Sequence, residues 1–525
     1  MSSPYWDAWT WFEWLRQYEN GETSLGHIVV RQHNEHPYGL PGVIFITFGS
    51  LWGYDLKLIS ILTAVVYCCS ALILFDMVRK AATTPIALLT TVLIGLSLRS
   101  SENLLYGFQL GFPLTVLCAL IAVHAALHRS TGGLVAMTLA LVAGGFCSAT
   151  FVAVYPAVFA ALLWGRTDRP WGSAMVAFLL CVAWLLAFGP RLMASHQPSP
   201  DFAARATGFV TLAGSPFFSN SGAARVVGVV VLVTFAAMAV RTLRNPAPSK
   251  VALVCVGLCS LGMIGAVAAG RGDMSGTNPS RYAVFAIPLV VATAALFTAS
   301  LPRLRHLPLM MAAGAYILSG QDALVESRHA RALEFQMGFT VVNHGVMSDA
   351  EIKVLNPGPA EVIRPIIANM ETNRYGVFSR PEPVRLAFQT LENFSAAGAK
   401  LTQSGDGGYE LTGRGHIAAG RDCAACIVRV MVDGLELPDA AMDEESAGAV
   451  GKADENTRNV GFIFYDAAGT ALQNLAWSVE GRAPPAIIAA TGPQGSAKVE
   501  AYLYSPDSER RIKFHSMSIA TLMPH

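Results

Sequence analysis

Ten apolar runs follow one another between residues 56 and 321, separated by short stretches that carry most of the Lys and Arg of that region. They fall at about 56–78, 83–98, 110–128, 132–147, 149–165, 170–190, 223–241, 249–270, 281–301 and 306–321. A spanning helix needs about 20 mainly apolar residues, so most of these runs are near that length. Such a pattern cannot fold around a water-facing core. Composition agrees: 53% of the 525 residues are hydrophobic and 14% charged, against about 25% charged in ordinary soluble domains. The expected fold is an α-helical polytopic membrane protein with about ten spans plus interfacial helices, embedded in a lipid bilayer. A net charge of +1 and the absence of any basic stripe exclude a nucleic-acid partner.

Charge gives direction to the spans. Residues 38–54 form an eleventh apolar stretch, interrupted by proline and glycine. If it does not cross, then Arg79/Lys80, His128/Arg129, Arg166/Arg169, Arg241/Arg244/Lys250 and Arg303/Arg305 all fall on one side. Short cytoplasmic loops collect Lys and Arg, so that side is the cytoplasm. The stretch 38–54 then reads as interfacial or re-entrant. Residues 1–37 and everything after about 321 then lie outside the cytoplasm. An external N-terminus calls either for head-first insertion or for a spanning helix upstream of this reading frame.

Beyond residue 322 the apolar runs stop. Residues 349–374 read as a short helix, a Pro-Gly-Pro break and an amphipathic helix. From 384 onward the pattern changes to period two, in YELTG, CIVRVMVDG, VGFIFYDAAGTAL, AKVEAYLYS and RRIKFHSMSI. Short strands at even spacing predict a C-terminal extracytoplasmic β-sandwich. The expected domains are 1–54 (first external loop and interfacial helices), 55–321 (membrane helices), 322–382 (helical linker) and 383–525 (β-sandwich). Seven of the nine cysteines lie in apolar runs, where they act as small hydrophobes. Cys423 and Cys426 form a CxxC with no second pair to complete a zinc site, which leaves a local disulfide or two free thiols.

The external segments hold the polar motifs WDAW (6–9), QHNEH (32–36), ENLLYGFQ (102–109) and SRYAVF (280–285). Together they resemble a group of bacterial integral membrane proteins whose usual forms read WDDW, QHNEHR, ENLLWGFQ and SRY. The likeness runs from residue 4 to about 380, including VFSRP (377–381). In layout the group is similar to the GT-C glycosyltransferases, which use polyprenyl-phosphate sugars and place an acidic residue in the first external loop before interfacial helices. Two positions depart from the pattern: Ala8 replaces the second acid of WDDW, and Pro37 stands where the group has Arg.

The resemblance implies a catalytic role for Asp7. An inverting transfer needs a carboxylate to take the acceptor's hydroxyl proton, opposite a departing phosphate that cations or a metal ion stabilise. The rival role for Asp7 is an N-cap of the helix AWTWFEWL. His33, Asn34, Glu35 and His36 read as substrate contacts, with His33, Glu35 and His36 also able to ligate a divalent ion such as Mg or Mn. A structural polar collar is the alternative. Glu102 and Asn103 stand at a helix end on the membrane edge, where ionisable residues are functional by default. A capping role for Ser100 or Ser101, with Glu102 in the first turn, competes with that. Gln109, beside Tyr106 and Phe108, is a candidate groove residue. Arg271 and Arg281, the latter next to Tyr282, are candidates for the lipid phosphate, since Arg offers a planar fork to phosphate oxygens; snorkelling of Arg281 is the plain alternative.

These readings predict a membrane glycosyltransferase that moves a sugar from a polyprenyl-phosphate donor to a glycan or lipid acceptor on the outer face. The rivals are a non-enzymatic carrier or assembly component for surface polysaccharide, and a membrane-anchored glycan-binding protein. No repeat relates the two halves of the chain, which favours the enzyme over the carrier.

Overall fold

The computed structural model describes residues 4, 6–34, 36–82, 84–128, 130–164, 170–195, 202–271, 280–342, 344, 352–353, 355–356 and 359–379. Beyond 388 it describes the strand residues given below and residue 468. Close contacts divide the chain into two compact units, residues 1–341 with 365–381, and residues 342–364 with 382–525.

The first unit is helical. Its helices are α1 (Trp9–Glu19), α2 (Leu25–Val29), α3 (Gly39–Gly49), α4 (Leu56–Ala81), α5 (Pro85–Gly95), α6 (Ser101–Leu105), α7 (Gly111–Ala126), α8 (Thr131–Gly145) and α9 (Val154–Trp164). They continue with α10 (Pro170–Ser195), α11 (Phe202–Gly214), α12 (Ser221–Arg244), α13 (Pro248–Arg271), α14 (Ser280–Ser300), α15 (His306–Val342) and α16 (Ala360–Asn373). Between α2 and α3 lies a small hairpin, β1 (Gln32–His33) with β2 (His36–Pro37).

Among the described residues, six helical segments are long and apolar enough to cross a membrane: Leu56–Ala81, Gly107–Ala126, Trp171–Pro190, Ser221–Arg244, Pro248–Arg271 and Ser280–Ser300. Their outward surfaces carry Leu72, Leu186, Val226 and Val233, each more than 60% exposed. Water penalises a belt of that kind and lipid accepts it. The chain is therefore a helical membrane protein. At the centre, α13 and α14 are mostly buried and contribute Val254, Cys255, Phe285, Ala286 and Leu289 to the main apolar cluster.

Four of the apolar runs take other forms. Run 83–98 becomes α5, of 11 residues, and run 149–165 becomes α9, also of 11, behind a turn of 3-10 helix. Run 132–147 becomes α8, of 15 residues. An 11-residue helix is only about 16 Å long, about half of a hydrocarbon core. The breaks come at serines inside the apolar sequence: Ser97 Oγ takes the amide of Arg99, and Ser148 Oγ that of Thr150. Side-chain hydroxyls of this kind compete with the helix for backbone donors. The fourth run, 306–321, opens a helix that does not stop where the apolar residues do. It continues as α15 for 37 residues.

Backbone contacts fix α3 against its neighbours. A Cβ at Gly39 would lie 2.1 Å from the Val29 carbonyl oxygen, and one at Gly111 would lie 2.3 Å from the Tyr38 ring. Glycine is required at both positions because backbone and ring occupy the space. Gly39→Ala is expected to cost about 1–3 kcal/mol by overpacking. Denaturation of the detergent-solubilised protein measures it, and an unchanged midpoint would contradict this packing.

The second unit contains antiparallel strands β3 (Gln389–Thr390), β4 (Ser395–Ala397), β5 (Lys400–Gln403), β6 (Tyr409–Thr412), β7 (Gly415–Asp422) and β8 (Ile427–Asp433). It continues with β9 (Asn459–Tyr465), β10 (Ala471–Ser478), β11 (Ala486–Thr491), β12 (Lys498–Ser505), β13 (Arg511–Phe514) and β14 (Ser516–Leu522). They form a five-stranded sheet in the order β10-β9-β12-β7-β4, a four-stranded sheet β11-β8-β14-β3 and a three-stranded sheet β13-β6-β5. In the central strand β12, Val499, Ala501 and Leu503 are all fully buried. Successive strand residues point to opposite faces, so this alternate set marks one face as core. Cys423 and Cys426 lie outside the described residues.

Candidate functional site

The segment RQHNEHP folds as the hairpin β1/β2. His33 pairs with His36 and Gln32 with Pro37, and Asn34 in the loop has φ of 50°. Asn tolerates the left-handed region that tight hairpin turns demand. Pro37 brings no N–H to this short ladder, while Tyr38 extends it by donating its amide to the Arg31 carbonyl at 3.2 Å. Arg31 ties the hairpin to α1 through Gln17 Oε1 at 2.6 Å and the face of Trp14 at 5.9 Å. Glu35 lies outside the described residues.

The hairpin presents His33 to Asp7. Asp7 sits in a 3-10 turn, Trp6–Ala8, and the N-cap position of α1 is Ala8, so Asp7 does not cap that helix. Its Oδ1 lies 3.1 Å from His33 Nε2, with side-chain exposures of 48% for Asp7 and 14% for His33. A carboxylate only accepts, so Nε2 carries the proton of this bond, and Nδ1 lies 3.0 Å from the Thr10 hydroxyl oxygen. Asn34 Nδ2 lies 3.1 Å from the same Nε2. The imidazole meets Phe108 edge-on at 5.1 Å, and Phe108 stacks on Tyr38 at 4.9 Å. His33 is thus held on every side and orients Asp7 in turn.

Burial pushes the Asp7 carboxyl up. The His33 hydrogen bond and charge, with Arg281 and Arg271, outweigh that and hold it below its ordinary value. The folded value is then the lower one. Ionised Asp7 adds stability that is fully present above the ordinary value of 3.8 and disappears as pH falls through the folded value. Melting of wild type and Asp7→Asn compared from neutral pH down to about pH 3 checks this. The two curves differ at neutral pH and converge in acid; a gap that widens in acid would reverse the assignment.

A second set of groups surrounds the start of α14. Arg281 Nη1 donates to Glu102 Oε1 at 2.5 Å, and its guanidinium lies 5.1 Å over the Tyr282 ring. Asn103 Nδ2 donates to the Arg281 carbonyl at 2.8 Å. Glu102 N–H donates to Ser280 Oγ at 3.1 Å, and Ser280 Oγ in turn lies 3.3 Å from Glu102 Oε2. Ser100 is the N-cap residue of α6 with Glu102 in the first turn, as the alternative had it, but its side chain makes no capping bond. The Arg281 charge is met by a carboxylate only 14% exposed. An aromatic path, His36 to Phe112 at 6.0 Å and Phe112 to Tyr282 at 5.8 Å, joins this set to the hairpin.

Asp7, His33, Asn34, His36, Glu102, Asn103, Arg281 and Tyr282 therefore come together in one unit from four separate motifs. Arg271 ends α13, exposed, and acts on Asp7 through its charge. Gln109 is half-buried next to Phe108 and makes no side-chain bond among those described. Sequence reasoning missed Thr10, Arg99, Ser280, Asp322 and Glu326, and weighed Ser101 only as a cap. Arg99 is 4% exposed; burial lowers its guanidinium value, opposed by Asp322, Glu326 and Glu102. Ser101 Oγ donates to Glu326 Oε2 at 2.6 Å. Asp322 and Glu326, four residues apart at the polar end of an apolar run, were the available signal.

Of the candidate ligands His33, Glu35 and His36, Glu35 lies outside the described residues. Both His33 nitrogens are engaged, and among the described residues no group of three His, Cys, Asp or Glu gathers closely enough to hold one.

No family model matches the chain, and no curated protein matches it. Among solved structures, accessory secretory proteins 1, 2 and 3 of Streptococcus pneumoniae align at 11% identity over 24% of this chain and 87% of that one, with a TM-score of 0.16. A family GH115 4-O-methyl-alpha-glucuronidase with specificity for decorated arabinogalactans aligns at 11% identity over 67% of this chain and 45% of that one, with a TM-score of 0.15. Overlaps of this quality fix neither fold nor activity.

Proposed function

We propose that the chain is a GT-C-like membrane glycosyltransferase that transfers a sugar from a polyprenyl-phosphate donor to a glycan or lipid acceptor. The observation that carries this reading is a half-exposed carboxylate, Asp7, held by His33 within the field of two arginines at membrane-helix ends, Arg271 and Arg281. A base and a cationic phosphate site are the two parts that inverting transfer needs.

Asp7 takes the proton of the acceptor hydroxyl. The acceptor oxygen forms its bond to the anomeric carbon as the bond from that carbon to the phosphate oxygen breaks, and polyprenyl phosphate leaves with the electron pair. Arg281 and Arg271 neutralise that phosphate. His33 keeps the carboxylate turned to the acceptor, and Asn34, His36, Gln109, Glu102, Asn103 and Tyr282 line the surrounding ground.

The reading carries a topology with it: about ten spans in the bacterial inner membrane, the site on the outer face, and the C-terminal sheets forming an extracytoplasmic β-sandwich that binds or orients the acceptor. The test uses the full chain in lipid nanodiscs with a panel of polyprenyl-phosphate sugars and glycan acceptors. Release of polyprenyl phosphate coupled to acceptor glycosylation supports the enzyme. Binding of donors without release from any of them overturns it in favour of the carrier.

A further inference from the structure

We propose that Glu326, on α15, is the positioning residue of the Glu102–Arg281 couple, the clamp that keeps the Arg281 guanidinium facing the phosphodiester of an incoming polyprenyl-phosphate sugar. This rests on the reading of Arg281 as a phosphate contact.

The geometry is that of one carboxylate fastening two distant backbone segments. Glu326 Oε2 accepts from Ser101 Oγ at 2.6 Å and Oε1 from Ser280 Oγ at 3.4 Å. Those serines immediately precede the two members of the ion pair, Glu102 on α6 and Arg281 on α14, which stand 179 residues apart in the chain. Fixing Ser101 and Ser280 to a common anchor therefore fixes the two backbones from which Glu102 and Arg281 project. The pair is bonded on its other side by Asn103 Nδ2 to the Arg281 carbonyl at 2.8 Å and by the Arg281 amide to Glu102 Oε2 at 3.3 Å.

Ser280 makes the clamp adjustable. Its hydroxyl has one proton and two carboxylates within reach, Glu102 Oε2 at 3.3 Å and Glu326 Oε1 at 3.4 Å. When the proton goes to Glu326, the serine is fastened to α15 and Glu102 Oε2 keeps the Arg281 amide bond at 3.3 Å, so the Glu102 charge stays available to the Arg281 guanidinium. When it goes to Glu102, the extra donor draws on the charge of the carboxylate and its hold on Arg281 weakens. Glu326 thus competes with Glu102 for the Ser280 proton and keeps Glu102 turned to Arg281, whose guanidinium, 32% exposed, can share its remaining N–H groups with phosphate.

Glutamine is the informative replacement. Its carbonyl oxygen accepts from one serine and its amide donates to the other, so Glu326→Gln keeps both links without the charge, whereas Glu326→Ala removes both. Two readouts are taken on the nanodisc protein. The first is the rate of phenylglyoxal modification of Arg281, followed by mass spectrometry with Arg79 as internal reference; it needs no turnover. The second is the separation of kcat from KM for the donor.

Glu326→Ala is expected to raise Arg281 modification about threefold or more and donor KM about tenfold, with kcat within about threefold of wild type. Glu326→Gln is expected to restore both. Ser101→Ala, a milder cut of the same clamp, moves both readouts in the same direction and serves if Glu326→Ala does not fold. An unchanged Arg281 modification rate in the alanine variants overturns the clamp, as does a glutamine variant that behaves like alanine. If wild type transfers nothing from any donor, the modification readout still decides the clamp, so the two failures are told apart.

Discussion

Asp7→Asn lowers transfer by about 10²–10⁴-fold, the range expected when a positioned acid or base is removed. Asparagine fills the same volume and can still accept from His33 Nε2, so the fold around the hairpin survives while the proton acceptor is lost. The acceptor hydroxyl then has only water to take its proton. Because His33 and the arginines hold Asp7 below its ordinary value, the wild-type rate has no acidic limb from this group above about pH 4. Turnover of Asp7→Asn within about threefold of wild type would remove Asp7 from catalysis, and a limb near neutrality would assign the base to another residue.

Arg281→Met has two effects, and they are separable. It removes a phosphate contact, which is expected to lower transfer by about 10²–10³-fold at saturating acceptor. It also leaves Glu102, 14% exposed, without its cation. Breaking a buried pair by deleting one partner costs about 3–5 kcal/mol, and a guanidinium one-third exposed brings this to about 3 kcal/mol after solvent screening. The second effect is relieved by neutralising the partner: Glu102→Gln/Arg281→Met is less destabilised than the sum of the single changes. Denaturation of the four proteins in one detergent gives the cycle. Additive effects would mean that the two charges do not interact.

The long apolar runs were legible because length and hydropathy alone decide whether a helix can live in lipid. Where those helices end was not. Ser97 and Ser148 stop α5 and α8 from continuing, and a single hydroxyl inside an apolar run leaves composition almost untouched. The opposite error arises at α15. The sequence DALVESRHARALEF loses its hydrophobicity after 321 but keeps strong helix formers, Ala, Leu, Glu and Arg, so the helix continues on propensity. Placing 322 onward in a separate linker hid Asp322 and Glu326 from the site.

The motifs themselves were visible as clusters of unusual residues, but their contacts were not. Nothing local to QHNEH says that Asn34 turns left-handed and brings His33 opposite His36, since that pairing depends on a turn rather than on composition. The choice between base and cap for Asp7 likewise depended on where the hairpin lay. A contact between residues 7 and 33 is long-range, and single-sequence patterns report only neighbours.

Helix α15 places Glu326 twenty positions beyond His306. At 1.5 Å per residue that is about 30 Å, close to the thickness of a bilayer's hydrocarbon layer. Under the proposed topology the helix acts as a depth gauge: its apolar length sets how far from the opposite leaflet the clamp sits. Lipids of longer or shorter acyl chain would then retune Arg281 without touching it, and the choice of membrane becomes a variable of the site.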